Sequence, residues 1–487
     1  MIDNCAVEQD KKDNSKDMMF SREMMQDYGY KIVDTIVDHF SNLHLKSPVS
    51  ITTREEMDSL FLEEAPENGS DPFQVLDFVK RHVLSEISNA NHPKFYSFVP
   101  GPSNFISAMS DSLATGFNVF SGGWIGSAAA AELEIVTINW LLKIFKFPVK
   151  TGGGLFTSGG SMANLTALVT ARWQKCGDDF GKAIIYMSDQ THSSNIKAIR
   201  TIGFKKNQVR IIPTDLEFKM SLNKLNNAIA KDKIEGLIPF CIIANAGTTN
   251  TGTVDDLTEL SKISKSEDMW LHVDAAYGGG AILSKKGESI LKGIKKADSV
   301  TIDPHKWFFQ PYEMGCLLLK KHKWLKSTFT EKPEYLKDVE GNSSEINFYD
   351  HGVQLTRRFR ALKLYMSIKT YGLNVFREAV TYNIELAEQV ELHIRKSKDL
   401  EVISPANLAV INFRYNPISK NFNEDQLNKI NQEISQRIMD SGEAMLTTTI
   451  LQNQTVLRMC LINPRTSFED VKGTIGLCLE YAKDIDT

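Results

Sequence analysis

Five short, nearly uninterrupted apolar runs, at residues 183–188, 209–213, 240–244, 270–273 and 299–302, limit what this chain can fold into more than any other feature. Each is too short for a helix and lacks the alternation of a strand with one face in water, so both of its faces must be covered. Longer segments that read as helices or loops separate them. Buried strands joined by long crossovers build an α/β fold, a mostly parallel sheet between helices. In that architecture ligands collect at the carboxyl ends of the strands.

The flanks read differently. Met25, Tyr28, Ile32, Ile36 and Phe40 recur at helical spacing, which predicts an amphipathic helix over residues 18–40, and a second helical pattern covers 72–87. These helices carry too little apolar material for a core of their own, so they are expected to pack on something else, a second subunit. Beyond residue 364 the pattern becomes helices at 375–396 and 424–441 with a few strands, a smaller α+β region. At 487 residues the chain is too long for one ordinary core. The expected division is a helical dimerisation segment at 1–104, a large α/β domain at 105–363 and a small domain at 364–487.

Charge excludes some partners. Lys and Arg number 56 against 60 Asp and Glu, a net charge of -4, which gives no electrostatic basis for binding nucleic acid or an anionic membrane. No stretch approaches the roughly 18 uninterrupted apolar residues of a membrane helix. The polar first 17 residues, mixed in charge, are unlike a secretory signal. Cys5, Cys176, Cys241, Cys316, Cys460 and Cys478 are scattered, with no CxxC pair and no His/Cys metal spacing. They read as reduced thiols of a cytoplasmic protein, most of them in the core, and no metal is expected. The sequons at Asn164 and Asn342 read as chance matches.

Three strand ends hold unusual chemistry. WLHVDAAYGGG places Asp274 just past an apolar run and before a glycine turn; SVTIDPHKW does the same for Asp303, His305 and Lys306; IIANAGTTNTG puts Thr248 and Thr249 past a third. Taken singly, such an aspartate is ordinarily a helix cap or turn residue and such a lysine a solvated surface charge. Together they meet the demands of one cofactor, pyridoxal phosphate. It needs a lysine amine to condense with its aldehyde, a carboxylate against its ring nitrogen, and amides and hydroxyls around its phosphate. Lys306 and Asp274 supply the first two. In GGGLFTSGGSMANLTALVTAR, Gly159, Gly160 and Ser161 open a helix whose free amides make an anion site.

These motifs resemble the group II pyridoxal-phosphate decarboxylases, a fold type I family that includes enzymes for aromatic amino acids, histidine, glutamate and cysteine sulfinate. HPKFYSFVP, SDQTHSS, HVDAAYGG, DPHKW and RRFRALKLY stand in the family's order between residues 92 and 365, and the likeness is weaker on both flanks. The resemblance implies a seven-stranded, mostly parallel sheet, a homodimer, and pyridoxal phosphate carried on Lys306 with Asp274 at the ring nitrogen. It implies His192 flat on one face of the cofactor and Ala276 on the other. Gly160 and Ser161 would hold the phosphate, with Thr248, Asp303 and His305 as further contacts; Asp303 stands where many animal members have asparagine. Tyr335, in TEKPEYLKDVEGNSSEINF, takes the place of a tyrosine that protonates the substrate carbon once carbon dioxide has left, which implies decarboxylation. Phe98, Phe120 and Trp124 would line the substrate pocket, and Gly122 stands where the animal enzyme has phenylalanine. The glutamate branch's FNQL is absent, so an aromatic amino acid is the expected substrate, with histidine or an acidic amino acid as alternatives. Transamination, which would need an arginine such as Arg458 for the substrate carboxylate, and a catalytically silent binding protein are the competing readings.

Overall fold

The computed structural model describes residues 18–331 and 345–485. Among them the main sheet has strands β1 (Gly153–Thr157), β2 (Ala183–Ser188), β3 (Val209–Ile212), β4 (Ile238–Asn245), β5 (Trp270–Asp274), β6 (Ser299–Ile302) and β7 (Gly315–Leu319), in the order β1-β7-β6-β5-β4-β2-β3. β2, β3, β4, β5 and β6 pair in parallel, and β7 runs antiparallel to both β6 and β1. All five apolar runs are strands. Successive side chains of a strand point to opposite faces. Thus Ile185 and Met187 meet Ala163, Ala167 and Leu168 of the helix Gly160–Cys176 on one face. Ile184 and Tyr186 meet Leu225 and Ile229 of the helix Leu222–Ile234 on the other.

Parallel strands bring their carboxyl ends to one edge. Asn245 of β4 lies opposite Asp274 of β5, and Asp274 lies opposite Thr301 of β6. The residues expected to carry chemistry follow directly from these ends.

A second sheet, all antiparallel, has strands β8 (Leu400–Asn407), β9 (Val410–Tyr415), β10 (Thr447–Leu451) and β11 (Gln454–Cys460) in the order β10-β11-β9-β8. Ile411, Phe413, Leu457 and Met459 bury against Ile434 and Ile438 of the helix Glu424–Asp440 and Val471 and Ile475 of the helix Phe468–Ile485. The helix expected at 375–396 is the second half of a longer one, Ala361–Ile394, broken at Gly372, where φ is 73° and ψ is 153°. A side chain there would be strained, which is why glycine marks the kink.

Contacts divide the chain into two units, one running to Ile87 apart from Ser47–Val49, the other comprising those three residues and everything from Ser88. In the first, helices span Arg22–Ser41, Arg54–Phe61 and Pro72–His82, and among the described residues none of the three buries a side chain. Their starts are well capped: Ser21 accepts from the Met24 amide, Thr53 and Glu56 form a capping box, and Asp71 precedes a proline at the first helical position. The expected helix at 72–87 stops at His82, where the Leu84 amide turns back to the Val79 carbonyl.

Candidate active site

A cavity of about 370 Å³ opens at the carboxyl edge of the main sheet, and Lys306 and Asp274 both line it. Lys306 sits in the single helical turn Pro304–Trp307 that follows β6, with its Nζ 3.0 Å from the Asp303 carboxylate. Burial alone would lower the pKa of this amine. The charge of Asp303, with Asp274 behind it, outweighs burial and holds the amine above the ordinary lysine value.

Asp274 is held by three donors. Its Oδ2 accepts from Asn164 Nδ2 at 2.9 Å and Asn195 Nδ2 at 2.7 Å, and its Oδ1 accepts from the Ala276 amide at 3.1 Å. The carboxylate is therefore fixed in place and faces the cavity.

His192 caps the helix Ser193–Thr201, its Nδ1 accepting from the Ser194 amide at 3.2 Å. Burial lowers its pKa against the pull of Asp274, so the ring is neutral and its proton sits on Nε2. His305 is pushed the same way by burial, and its Nδ1 accepts from the Met314 amide at 3.1 Å. Thr248 lines the cavity with its hydroxyl 2.8 Å from that of Thr251.

The structure brings Gly160, Ser161, His192, Thr248, Asp274, Ala276, Asp303, His305 and Lys306 to one cavity. Phe98, Phe120 and Trp124 do not line it in the single chain. Phe98 is exposed, with a positive φ of 55°, and its carbonyl accepts from Arg458. Phe120 lies across Gly122: a Cβ there would come within 2.5 Å of its ring, so this phenylalanine already fills space that Gly122 leaves. The Trp124 amide donates to the Asn347 side chain at 2.8 Å. Arg458 spends two nitrogens on the carbonyls of Thr249 and Phe98. Tyr335 lies outside the described residues.

Sequence reasoning missed Asn164, Asn195 and His272, which surround Asp274, and Glu313, which lines the cavity and accepts from Arg360 at 2.6 Å. One signal was readable. Asn164 is a lone amide beside the Ala163, Ala167 and Ala171 stripe that buries its helix against the sheet.

The model of the pyridoxal-dependent decarboxylase conserved domain matches residues 55–416. An aromatic-L-amino-acid decarboxylase from Bacillus atrophaeus is 48% identical over 460 residues, covering 94% of this chain and 95% of that protein. The chain belongs to the pyridoxal-dependent decarboxylases. Two solved structures share its fold at a TM-score of 0.89 and 27% identity. One is an Oryza sativa TDC with PLP and tryptamine, the other a Catharanthus roseus tryptophan decarboxylase with L-tryptophan; each alignment covers 96% of this chain and 99% of the other.

The residues of this decarboxylase fit pyridoxal phosphate. The helix Gly160–Cys176 has no side chain capping its start, so its first amides face the cavity without an acceptor in the helix. A Cβ at Gly160 would come within 2.9 Å of Asp303 and 3.1 Å of Ala276, so glycine there keeps the cradle open. Among the described residues the buried Oδ1 of Asp303 has no hydrogen-bond partner, and an acceptor left unpaired in so polar a cavity suits a ligand that brings a donor.

Proposed function

We propose that this decarboxylase removes the α-carboxyl group of an aromatic L-amino acid, tryptophan, tyrosine or dihydroxyphenylalanine, and releases the amine and carbon dioxide. The observation that carries the chemistry is the placement of Lys306 and Asp274 on one cavity with the open helix start at Gly160. Support for an aromatic substrate comes from the Bacillus relative, matched over nearly its whole length, and from the two tryptophan decarboxylase structures.

When bound, pyridoxal phosphate supplies a protonated ring that takes up the electrons of the bond being broken. Lys306 carries it. Asp274, fixed by three donors, would face the ring nitrogen with a carboxylate that cannot turn away and so favour its protonated form. His192 is a flat neutral wall on one side, with Ala276 on the other. Gly160 and Ser161 would hold the phosphate end, with Thr248, Asp303 and His305 as further contacts to the cofactor. Tyr335 delivers the proton to the substrate carbon after carbon dioxide leaves. Phe98, Phe120 and Trp124 form the aromatic subsite.

The enzyme acts as a homodimer in the cytoplasm, with residues 1–104 making the subunit contact and residues 364–487 closing against the cofactor domain at 105–363. The exposed Met25, Tyr30, Ile32, Val33 and Val37 of the first helix support the dimer. The unpaired Cys176, Cys241, Cys316, Cys460 and Cys478 suit a reducing compartment. Among the described residues no helix is long and apolar enough to cross a membrane.

The test is to incubate the enzyme with tryptophan, tyrosine, dihydroxyphenylalanine, histidine and glutamate and to measure carbon dioxide, amine and aldehyde without any added keto acid. An aromatic substrate gives carbon dioxide and amine in equal amounts. The Tyr335→Phe variant forms amine roughly 10²-fold more slowly, because only the proton donor is lost, and in air aldehyde, ammonia and hydrogen peroxide appear instead. No turnover of any aromatic substrate overturns the assignment. Amine at the wild-type rate from Tyr335→Phe removes the tyrosine from the chemistry.

A further inference from the structure

We propose that Asn164 is a positioning residue whose single amide group orients both the carboxylate of Asp274 and the imidazole of His192, and that the buried His272 sets which way that amide faces. The proposal rests on the reading of Asp274 as the partner of the ring nitrogen, and it adds what fixes that carboxylate.

Asn164 makes contacts in three directions, all buried. Its Nδ2 lies 2.9 Å from Asp274 Oδ2 and 3.1 Å from Ser194 Oγ, and its Oδ1 lies 3.0 Å from His272 Nε2. Ser194 Oγ in turn lies 2.8 Å from His192 Nδ1. An amide has two donors on nitrogen and only acceptors on oxygen, so the group is fully used when its nitrogen faces the carboxylate. Turned over, it would press an oxygen against the Asp274 carboxylate and leave a nitrogen against a ring N–H.

His272 enforces the first orientation. It lies in β5, two residues before Asp274, and is completely buried. Its Nδ1 is 2.8 Å from Ser299 Oγ, and that hydroxyl accepts from Trp270 Nε1 at 2.8 Å. An indole nitrogen can only donate, so the Ser299 hydroxyl accepts from Trp270 and still has its own hydrogen to give to His272 Nδ1. That leaves the imidazole proton on Nε2, pointing at Asn164 Oδ1. Burial keeps the ring neutral, lowering its pKa to about 4. The acceptor-only carboxylate of Asp274 sets the direction from its end: Asn164 Nδ2 donates to it, Asn164 Oδ1 accepts from His272 Nε2, and Nδ1 of the neutral ring accepts from Ser299. Trp270, Ser299, His272, Asn164 and Asp274 form one chain with a single allowed polarity, and Ser194 branches from it to His192.

Asn195 and the Ala276 amide also donate to Asp274, so loss of Asn164 leaves the carboxylate in place but less firmly oriented. The test uses the holoenzyme loaded with pyridoxal phosphate labelled with ¹⁵N in its ring, whose chemical shift reports whether the ring nitrogen is protonated. Asn164→Ala is expected to move that shift toward the unprotonated form and to lower kcat about tenfold with KM little changed, in the range that supporting residues typically command. His272→Leu is expected to do the same more weakly. His272→Gln, whose side-chain nitrogen can still donate to Asn164, restores the wild-type shift and kcat. Should Asn164→Ala fail to fold, His272→Leu and His272→Gln carry the same comparison. A native ring-nitrogen shift and kcat in Asn164→Ala, or in His272→Leu when it is the variant in hand, overturns the proposal. Asp274→Ala separates the two levels: if it too leaves the ring nitrogen unchanged, the underlying assignment of Asp274 has failed, and if it alone shifts the signal, only the role of Asn164 has.

Discussion

At the scale of single residues, the contact between Asp303 and Lys306 has a kinetic consequence. The lysine must be unprotonated to attack an aldehyde, yet at 3.0 Å the Asp303 carboxylate favours its charged form. Asp303→Asn keeps the shape and removes the charge, so burial then dominates and the amine pKa falls. Each unit of that fall raises the free amine about tenfold at a pH below its pKa. Apoenzyme mixed with pyridoxal phosphate in a stopped-flow spectrometer should therefore show a capture rate whose pH profile shifts to lower pH in Asp303→Asn, and no visible band at all in Lys306→Ala. A profile that does not move means Asp303 does not control the lysine. Lys306 and Asp274 stood out in the sequence because cofactor chemistry demands those residue types just past strand ends, and His192 only through the family resemblance of its motif. His272 did not, and of Asn164 only its place as a lone amide beside an alanine stripe could be read, not its role. Their importance lies in the direction of hydrogen bonds between β5 and a helix 110 positions away in sequence from Asp274, and no local pattern encodes that.

At the scale of elements, the five apolar runs were legible because parallel strands covered on both faces leave a short, continuous signature. β1 and β7 escaped. β1 begins with two glycines that bring no apolar signal, and β7 follows the lysine loop so closely that its run merges with the segment around it. Both lie at one side of the sheet, where β1 is tied to the segment that follows Tyr335. Glu134 Oε1 accepts from the Phe156 amide at 2.9 Å, and Glu134 pairs with Arg357 at 2.6 Å, both side chains almost wholly buried. His351 shares this region, edge-on to Phe348 while the Arg357 guanidinium lies over the same ring. Burial first, and then Arg357, lowers the His351 pKa to about 3. The unfolded chain binds a proton on this residue below about pH 6.5 and the folded chain does not, so its contribution to stability is complete above that pH and is lost as pH falls toward 3. The slope is roughly 1.4 kcal/mol per pH unit. His351→Phe keeps the packing and removes the titration, so the loss of thermal stability between pH 7 and 4.5 should be smaller than in the wild type. His272 titrates in the same sense and Asp255, raised to about 6 by burial, in the opposite one, but both are common to the two proteins and drop out of the difference. Parallel curves for the two proteins would mean that His351 is charged in the folded state.

At the scale of the whole molecule, the N-terminal helices pose a problem that one chain does not solve within that unit. The helix Arg22–Ser41 buries none of its residues, although Met25, Ile32, Val33 and Val37 are apolar and exposed. Contacts within the three-helix unit include edge-on aromatic pairs, Tyr28 with Phe73 at 5.8 Å and Phe61 with Phe78 at 5.9 Å, the Lys31 amine over the Phe73 ring and the Ser50 hydroxyl on Glu86. Isolated helices of this length are marginal in water, and most helical stability in proteins comes from burying one face. A second subunit supplies that burial in the homodimer proposed here, where an obligate interface would cover on the order of 2,000 Å² or more. Val33→Glu with Val37→Glu places two charges on the exposed face, four residues apart, while glutamate remains a good helix former. Each unpaired charge in an apolar contact costs several kcal/mol, enough together to separate subunits at micromolar concentration. Analytical ultracentrifugation of the double variant should show monomer where the wild type sediments as dimer, and activity should fall with it. Far-ultraviolet circular dichroism should stay close to wild type, because glutamate keeps the substituted helix intact. A double variant that still sediments as a fully active dimer would place the subunit contact elsewhere on the chain, with the exposed Phe117 and Ile125 as the next surface to test.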